Sequence, residues 1–365
     1  MDQVQALRLQ GKNHEAWAAL QPINADTAEC AYERSILSFY VGVPRDHALL
    51  DIVRCYSRFR NIDYANIFYY VSPFQACTTP FPVVPIDDFL PTSTSILPIG
   101  SHFLLNVRYV NYRIQPDGSY LMSENGVLSP HSHLRTRNFF CTTKDFTAFT
   151  PLEEITPDRP PLHDRHIHGI EDIRLFRKGG TIHFSGTTCE YSHNGQIQEI
   201  QGVYDTEVNR LTHLDHMYSP NNTHIEKNWI PFHRAYEDDS RFIYTWHPLT
   251  IGRVTGGHFH KEKEVDTPFL FSHVRGSSTL VFSKGFLYTM VHCVVETSPR
   301  KYYHMVVRLD PLYEVAYTVP YYFVKNHIEY TLGMVILDNV MTCIVSQNDC
   351  DPLIVRIPMD SLRWV

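Results

Sequence analysis

Two adjacent carboxylates followed by an arginine, in the segment Gly169–Phe176 (GIEDIRLF), form the grouping in this chain best suited to chemistry. Asp172 and Glu171 can donate or accept a proton, and Arg174 can grip a carboxylate or a hydroxyl through its planar fork. The plain alternative is an Asp–Arg pair that fixes a strand end. A second set is cationic: Lys227, His292 and Arg275, the last followed by Ser277 and Ser278. Lys and Arg suit phosphate by charge and geometry. The plain alternatives are a solvated lysine, a hydrogen-bonded core histidine and a surface turn. A third set, Asn106, Arg108 and Asn111, lies in NVRYVN. Strand alternation places residues 106 and 108 on one face with Val107 opposite, and Asn and Arg suit vicinal hydroxyls. Asp349 and Glu329 are further carboxylates that could bind a hydroxyl or seal a strand end.

Other combinations are poorer. HDRHIHG (163–169) and GGHFHKEKE (256–264) are rich in histidine but lack the spacing of a zinc motif, so no metal is expected. Cys293 follows His292 directly, so on a strand the two point to opposite faces, which argues against a Cys–His nucleophile. Neither a Gly-rich phosphate loop nor a G-x-S-x-G turn is present, and no cofactor is expected.

These residues need elements that hold them. The 365-residue chain has room for one large domain and a small one. Its 22 Tyr and 21 Phe favour pleated surfaces, and their faces suit the apolar side of a sugar ring. A net charge of −7 gives no nucleic-acid footprint. No apolar run reaches the roughly 18 residues of a membrane span, and the N-terminus carries no apolar signal core. The eight cysteines form no CxxC pair and read as reduced thiols of a cytoplasmic protein. The sequon Asn221-Asn222-Thr223 means little without a secretory signal.

Residues 1–75 show helical spacing in VQALRLQGKNHEAWAALQ, ECAYERSILSFYVG and HALLDIVRCYSRF. They predict helical hairpins, either a tetratricopeptide-like module that docks a protein partner or a cap on the next domain. TTPFPVVPIDDFLPTS reads as an extended Pro-rich linker over 76–95. From 96 to 365 short alternating segments take over, with strong hairpin signals at Asp117-Gly118 and Asn194-Gly195. Many short strands at this spacing mean a sandwich, barrel or propeller in a mainly β chain; their grouping, about 50 residues per four strands, leaves space for a five-bladed β-propeller behind a small α-helical region, and periodicity alone does not fix the blade count.

The segment GIEDIRLF resembles the G-x-E-D-P-R signature of the five-bladed propeller mannoside phosphorylases and hydrolases. Six further segments match that family in order: EKNWIPF (226–232), FIYTWHPL (242–249), KGFLYTMVHCVV (284–295), YYHMVVRLDP (302–311), HIEYTLGMVILDNV (327–340) and SQNDCDPLIV (346–355). The resemblance covers the propeller and not residues 1–90. With it, Asp172 is expected to be the general acid, with sugar contacts from Asn106, Arg108, Asn111, Glu171, Arg174, Trp246, His247, Glu329 and Asp349. It also implies an anion site for phosphate or a nucleotide diphosphate at Lys227, Arg275 and His292. The chain departs from the pattern at Ile173, where the family has proline. It departs again at Trp246 or His247, where the family's arginine would fall, and at Ser346-Gln347-Asn348, in place of Gly-Ala-Ala.

The expected activity is inverting transfer of a glycosyl group, mannosyl by resemblance. The acceptor is phosphate, or another sugar with a sugar nucleotide as donor, as in the related propeller mannosyltransferases. One acid suffices when the nucleophile is already ionised. An inverting hydrolase would need a second carboxylate to activate water, and Glu329 or Glu226 would have to serve. A non-catalytic propeller that binds glycan or protein is the alternative from another class.

Overall fold

The computed structural model describes all residues except 24–26, 61, 222 and 233–240, so Asn222 of the sequon lies outside the described residues. Helices occupy Asp2–Leu9, Asn13–Leu20, Ala28–Tyr40, Arg45–Phe59 and Tyr64–Ile67. Thr27 caps the third by accepting from the Cys30 N–H at 3.2 Å, which satisfies an otherwise orphan donor. The first three helices share a small core of Val4, Ala16, Leu20, Cys30 and Leu37. The Arg8 guanidinium is forked on buried Glu33 at 2.5 and 2.9 Å. The Arg45–Phe59 helix buries Leu49, Ile52, Val53 and Tyr56 against Phe271, Leu287, Val291 and other residues of the β region. Their spacing of three and four residues forms one apolar stripe.

The rest of the described chain is mainly β. Leu90–Ile99, His102–Val110, Leu134–Thr143 and Glu153–Pro157 run antiparallel in that order. Glu171–Lys178, Thr181–Thr188, Gln198–Asp205 and Arg210–His216 do the same. A short parallel pairing of Arg210 and Leu211 with Thr156 and Pro157 joins both runs into one sheet. A third run comprises Ile230–Phe232, Arg241–Trp246, Leu249–Thr255 and His258–Val265. In a fourth, Val274–Gly276 and Val281–Ser283 pair with Phe286–Val295, which leads to Lys301–Leu309 and Val315–Tyr317. In the last, Glu329–Tyr330 and Met334–Leu337 pair with Val340–Gln347, followed by Cys350–Pro358.

The leading strands touch in a closed circuit. Leu90–Ile99 lies against Glu171–Lys178, which lies against Ile230–Phe232; Arg241–Trp246 meets Val274–Gly276; Val281–Ser283 meets Met334–Leu337, which returns to Leu90–Ile99. One end of the circuit is polar. The other surrounds an apolar cavity of about 700 Å³ lined by Leu97, Leu175, Leu280 and Met334 among others.

Two expectations need correction. The stretch 76–95 is more than a linker, because Cys77–Pro80 pairs antiparallel with Cys350–Pro358 and completes the last sheet. The leading strand of the first run begins at Leu90 rather than near residue 96. Pro80 is tolerated because its strand is the outer edge. The Asp117-Gly118 hairpin forms as expected, between Tyr112–Ile114 and Tyr120–Glu124. Thr181–Thr188 and Gln198–Asp205 also pair across the Asn194-Gly195 connection. None of the eight cysteines is in a disulfide, and six are buried. No described helix is long and apolar enough to cross a membrane.

The chain enters the Glu171–Lys178 strand through a fixed corner. Gly169 has φ +92°, and a Cβ there would stand 2.3 Å from the Thr136 carbonyl oxygen. Its N–H donates to Glu190 Oε2 at 2.6 Å, and the Thr188 hydroxyl donates to its carbonyl at 2.9 Å. His168 Nδ1 reaches the other Glu190 oxygen at 2.7 Å, so part of the histidine-rich loop serves this corner. Gly169→Ala combines a disfavoured φ with a backbone clash. It is expected to lower stability by about 2 kcal/mol or more, read as a drop in the urea midpoint at unchanged m.

Candidate active site

Three acidic side chains gather around one buried arginine at the polar end of the circuit. Arg108, 5% exposed, sits near the end of His102–Val110, on the face opposite Leu105, Val107 and Tyr109, which pack in a core cluster. Its Nη1 donates to Asp172 Oδ1 at 2.8 Å, and its Nη2 lies 3.2 Å from Glu171 Oε1. The strand pairing shifts register between Glu171 and Arg174. Asp172 stands in the left-handed region at φ 51°, and this bulge turns consecutive acids onto the same arginine. Asp349, at φ 53° in the turn after Val340–Gln347, accepts from the Tyr112 hydroxyl at 2.8 Å.

The electrostatics follow from this crowding. Burial pushes Glu171 above the ordinary carboxylate range; Arg108 and Lys227 oppose the shift, while Asp172 and Asp349 add to it. Asp349 is raised for the same first reason, and Arg108 and the Tyr112 hydroxyl pull it down. Arg108 resists its own desolvation because Glu171, Tyr112, Asp172 and Asp349 all favour its charged form, so it stays protonated.

Arg174 ties the leading strands together. Fully buried, it donates to the Ser277 carbonyl at 2.8 Å, the Asp172 carbonyl at 3.2 Å, the Tyr330 hydroxyl at 2.8 Å and Asn228 Oδ1 at 3.4 Å. These partners come from four of the β runs. Arg174 therefore positions the backbone of Asp172; it grips neither the Asp172 carboxylate nor an exposed ligand. Beside it Glu199, fully buried, is pushed up to about 7, chiefly by burial, with Arg174 and the Trp229 N–H opposing.

A cavity of about 610 Å³ opens next to this centre. Lys227, Asn228, Tyr244, Trp246, His247, Phe271, Arg275 and Arg300 contribute to its lining. Exposed Glu296 lies 3.6 Å from both Arg275 and Arg300. The cavity has room for an anion larger than inorganic phosphate. Three of its lining residues, Lys227, Arg275 and Arg300, are of cationic type. Trp246 is a wall residue, 4% exposed and packed among Leu249 and Phe271, and His247 Nδ1 is 3.1 Å from the Thr267 hydroxyl.

Several expected ligand residues are occupied otherwise. Asn111 spends its amide on the backbone, donating to the Ser123 and His133 carbonyls at 3.0 and 2.9 Å and accepting from the Arg135 N–H at 2.7 Å. Glu329, fully buried, accepts from the N–H groups of Phe323, Val324 and Lys325 at 2.7 to 3.0 Å and closes a turn. Glu226 accepts from Trp229 Nε1 at 2.9 Å and from the hydroxyls of Ser219, Thr223 and Tyr244. Neither Glu329 nor Glu226 is placed to activate a water.

His292 is buried against the Ser277 hydroxyl at 2.8 Å. Its pKa falls well below the usual value, through burial and then Arg275, His304, Arg174 and Lys227. It is neutral and adds no positive charge for an anion. Ser278 bonds locally, with its hydroxyl 2.8 Å from the Met290 N–H. Cys293 points away into the core that includes Leu49 and Tyr303, as alternation requires. Asn106 is fully buried, and neither its Oδ1 nor its Nδ2 has a hydrogen-bond partner among the described residues. No described group of His, Cys, Asp and Glu could hold a metal.

Sequence reasoning missed Tyr112, Glu199, Asn228, Arg300 and Tyr330. Asn228 and Tyr330 each adjoin a residue that was singled out, and the Tyr330 hydroxyl donates to Asn228 Oδ1 at 3.1 Å.

No protein-family model and no curated protein sequence matches the chain. Solved structures share its fold. A β-1,2-mannobiose phosphorylase from Listeria innocua, in complex with β-1,2-mannobiose, superposes with a TM-score of 0.52 at 14% identity, over 78% of this chain and 94% of that one. A structure described with the mannoside phosphorylases, whose family contains glycoside hydrolases that target β-1,2 mannosidic linkages in Candida mannan, gives 0.52 at 9% identity, over 80% and 94%. A glycosyl hydrolase from Bacteroides ovatus gives 0.50 at 11% identity, over 80% and 91%. The structural neighbours are thus of the group that the ordered sequence segments resemble, and the likeness is one of fold.

Glu199 yields a pH prediction. A carboxyl raised from 4.5 to about 7 on folding keeps its proton in the folded state across that interval. Its stabilising contribution is complete below about pH 4.5 and is lost as pH rises through 7. Glu199→Gln is therefore expected to gain about 2 kcal/mol relative to the parent chain between about pH 5 and pH 8, measured as paired urea midpoints.

Proposed function

We propose that the chain is a carbohydrate-active enzyme that transfers a glycosyl group with inversion, with Asp172 as its proton-transfer residue. The β runs are read as five blades whose leading strands surround the channel, with Cys77–Pro80 closing the last blade. The observation that carries the reading is the position of Asp172. It is held by Arg108 at the mouth of the circuit, beside Glu171. The cavity with Lys227, Arg275 and Arg300 adjoins it through Asn228, a partner of Arg174. In this reading a sugar bound over the carboxylate cluster, with an anion in the cationic cavity, would have the anion on one side of its anomeric carbon and the acid on the other. In phosphorolysis Asp172 protonates the leaving oxygen. In the opposite direction it takes the proton of an acceptor hydroxyl while the anion departs.

The size of the cationic cavity supports a sugar nucleotide as the anionic partner as well as inorganic phosphate. A hydrolase is the weaker reading, because the two carboxylates it would have used, Glu329 and Glu226, are consumed by structural hydrogen bonds. Mannose as the sugar rests on the resemblance and on the neighbours' substrates.

The test mixes the protein either with GDP-mannose and an acceptor sugar or with mannose 1-phosphate and mannose, and follows chain extension. Asp172→Asn is expected to lower kcat by about 10²–10⁴ with the fold intact. Lys227→Ala should instead raise KM for the anionic substrate. An Asp172→Asn variant as active as the parent chain would remove the mechanism.

A further inference from the structure

The cationic cavity and the helical region share one short segment of chain. Between the third and fourth runs, Phe269–His273 form a short 3₁₀ helix that leads directly into the Val274–Gly276 strand. Phe271, Ser272, Val274, Arg275 and Gly276 all line the cavity. His273, in the middle of that stretch, turns the other way, to the helices. The Tyr64 ring stacks on the His273 ring, with centroids 3.9 Å apart and planes 16° apart. The Tyr56 hydroxyl lies 2.8 Å from His273 Nε2. Tyr56 belongs to Arg45–Phe59 and Tyr64 opens Tyr64–Ile67, so two helical elements hold one imidazole, by its edge and by its face. The Arg60 guanidinium stands 3.8 Å over the Phe269 ring at the start of the same turn.

This grip fixes position as well as depth. Apolar contact alone is non-directional, whereas a stacked ring and a polar contact at Nε2 set the rotation of the imidazole. His273 is two residues from Arg275. Val274, between them, is buried in the core that also takes Leu49, Ile52 and Tyr56. The Arg275 backbone therefore cannot shift without moving His273. Exposed Glu296, 3.6 Å from the Arg275 guanidinium, is a weak anchor. The placement of that guanidinium thus depends on the backbone that carries it.

We propose that Tyr56 and Tyr64 are positioning residues for the anion site: by holding His273 they set Arg275 against the anionic substrate, which makes the helical region part of anion binding rather than a separate module. The proposal rests on the reading of the cationic cavity as an anion site, and adds the helices to it.

The test is calorimetric titration of the full chain with inorganic pyrophosphate. Arg275→Gln should lower the affinity about tenfold. Tyr64→Ala should lower it about fivefold, while Tyr64→Phe, which keeps the stacked ring, should hold the parent chain's value. Tyr56→Phe removes a single oxygen and should lower the affinity about threefold, so a folding defect in Tyr64→Ala does not leave the matter open. In the Arg275→Gln background neither Tyr64→Ala nor Tyr56→Phe should weaken binding further, because both act through that guanidinium. A merely structural role would add its full effect there too. If Arg275→Gln weakens binding and the tyrosine variants do not, or if their effects simply add to it, the proposal is overturned and the anion site stands. Pyrophosphate that fails to bind the parent chain, or that binds Arg275→Gln as tightly as the parent, would overturn the anion site and the proposal with it.

Discussion

The positive charge of Arg108 is the constraint on which the site depends. A guanidinium that is 5% exposed loses its hydration and is tolerable only where opposite charge and hydrogen-bond acceptors replace it. Glu171 and Asp172 do so directly, and Asp349 adds its field from the last run, held by Tyr112. These residues come from three distant parts of the chain. They meet only because the leading strands close into a circuit and the Cys77–Pro80 strand completes the last sheet. Removing the arginine would leave crowded acids repelling one another in a partly desolvated pocket. Removing one acid would weaken the others' hold.

The backbone carries part of this arrangement. Asp172, Asn228, Asn348 and Asp349 all stand at positive φ, between 50° and 69°. Asp and Asn tolerate that region better than most residues, but it still costs energy that the surroundings must offset. Arg174 does this for Asp172 and Asn228 at once, by donating to the carbonyl of one and the side chain of the other. The same clamp connects the carboxylate cluster to the cationic cavity, so the two are coupled through one buried side chain.

Much of this was legible in the sequence and some was not, for definable reasons. Alternation and the Asp-Gly turn disclosed the strands. The Glu171-Asp172 pair stood out as adjacent acids ahead of an arginine, and Arg108 and Asp349 as polar side chains suited to hydroxyl groups. Arg174 was misread because its partners at Ser277, Asn228 and Tyr330 are 103, 54 and 156 positions away. Asn111 and Glu329 look like ligand residues on paper. Whether such a side chain meets a ligand or a turn's own N–H groups is decided by backbone direction, which composition does not encode. Arg300 lies just before a strand, where no periodicity marks it. The Pro-rich stretch concealed an edge strand because proline removes the ladder donor only where the ladder has to continue.

The most direct measurement is a double-mutant cycle on the Arg108–Asp172 pair: Arg108→Met, Asp172→Asn and the double variant, each unfolded in urea. The expected result is a coupling free energy of about 1–3 kcal/mol, with the double variant less destabilised than the sum of the singles. Strict additivity would contradict the account, because Asp172 would then owe its place at the ring mouth to something other than the buried arginine.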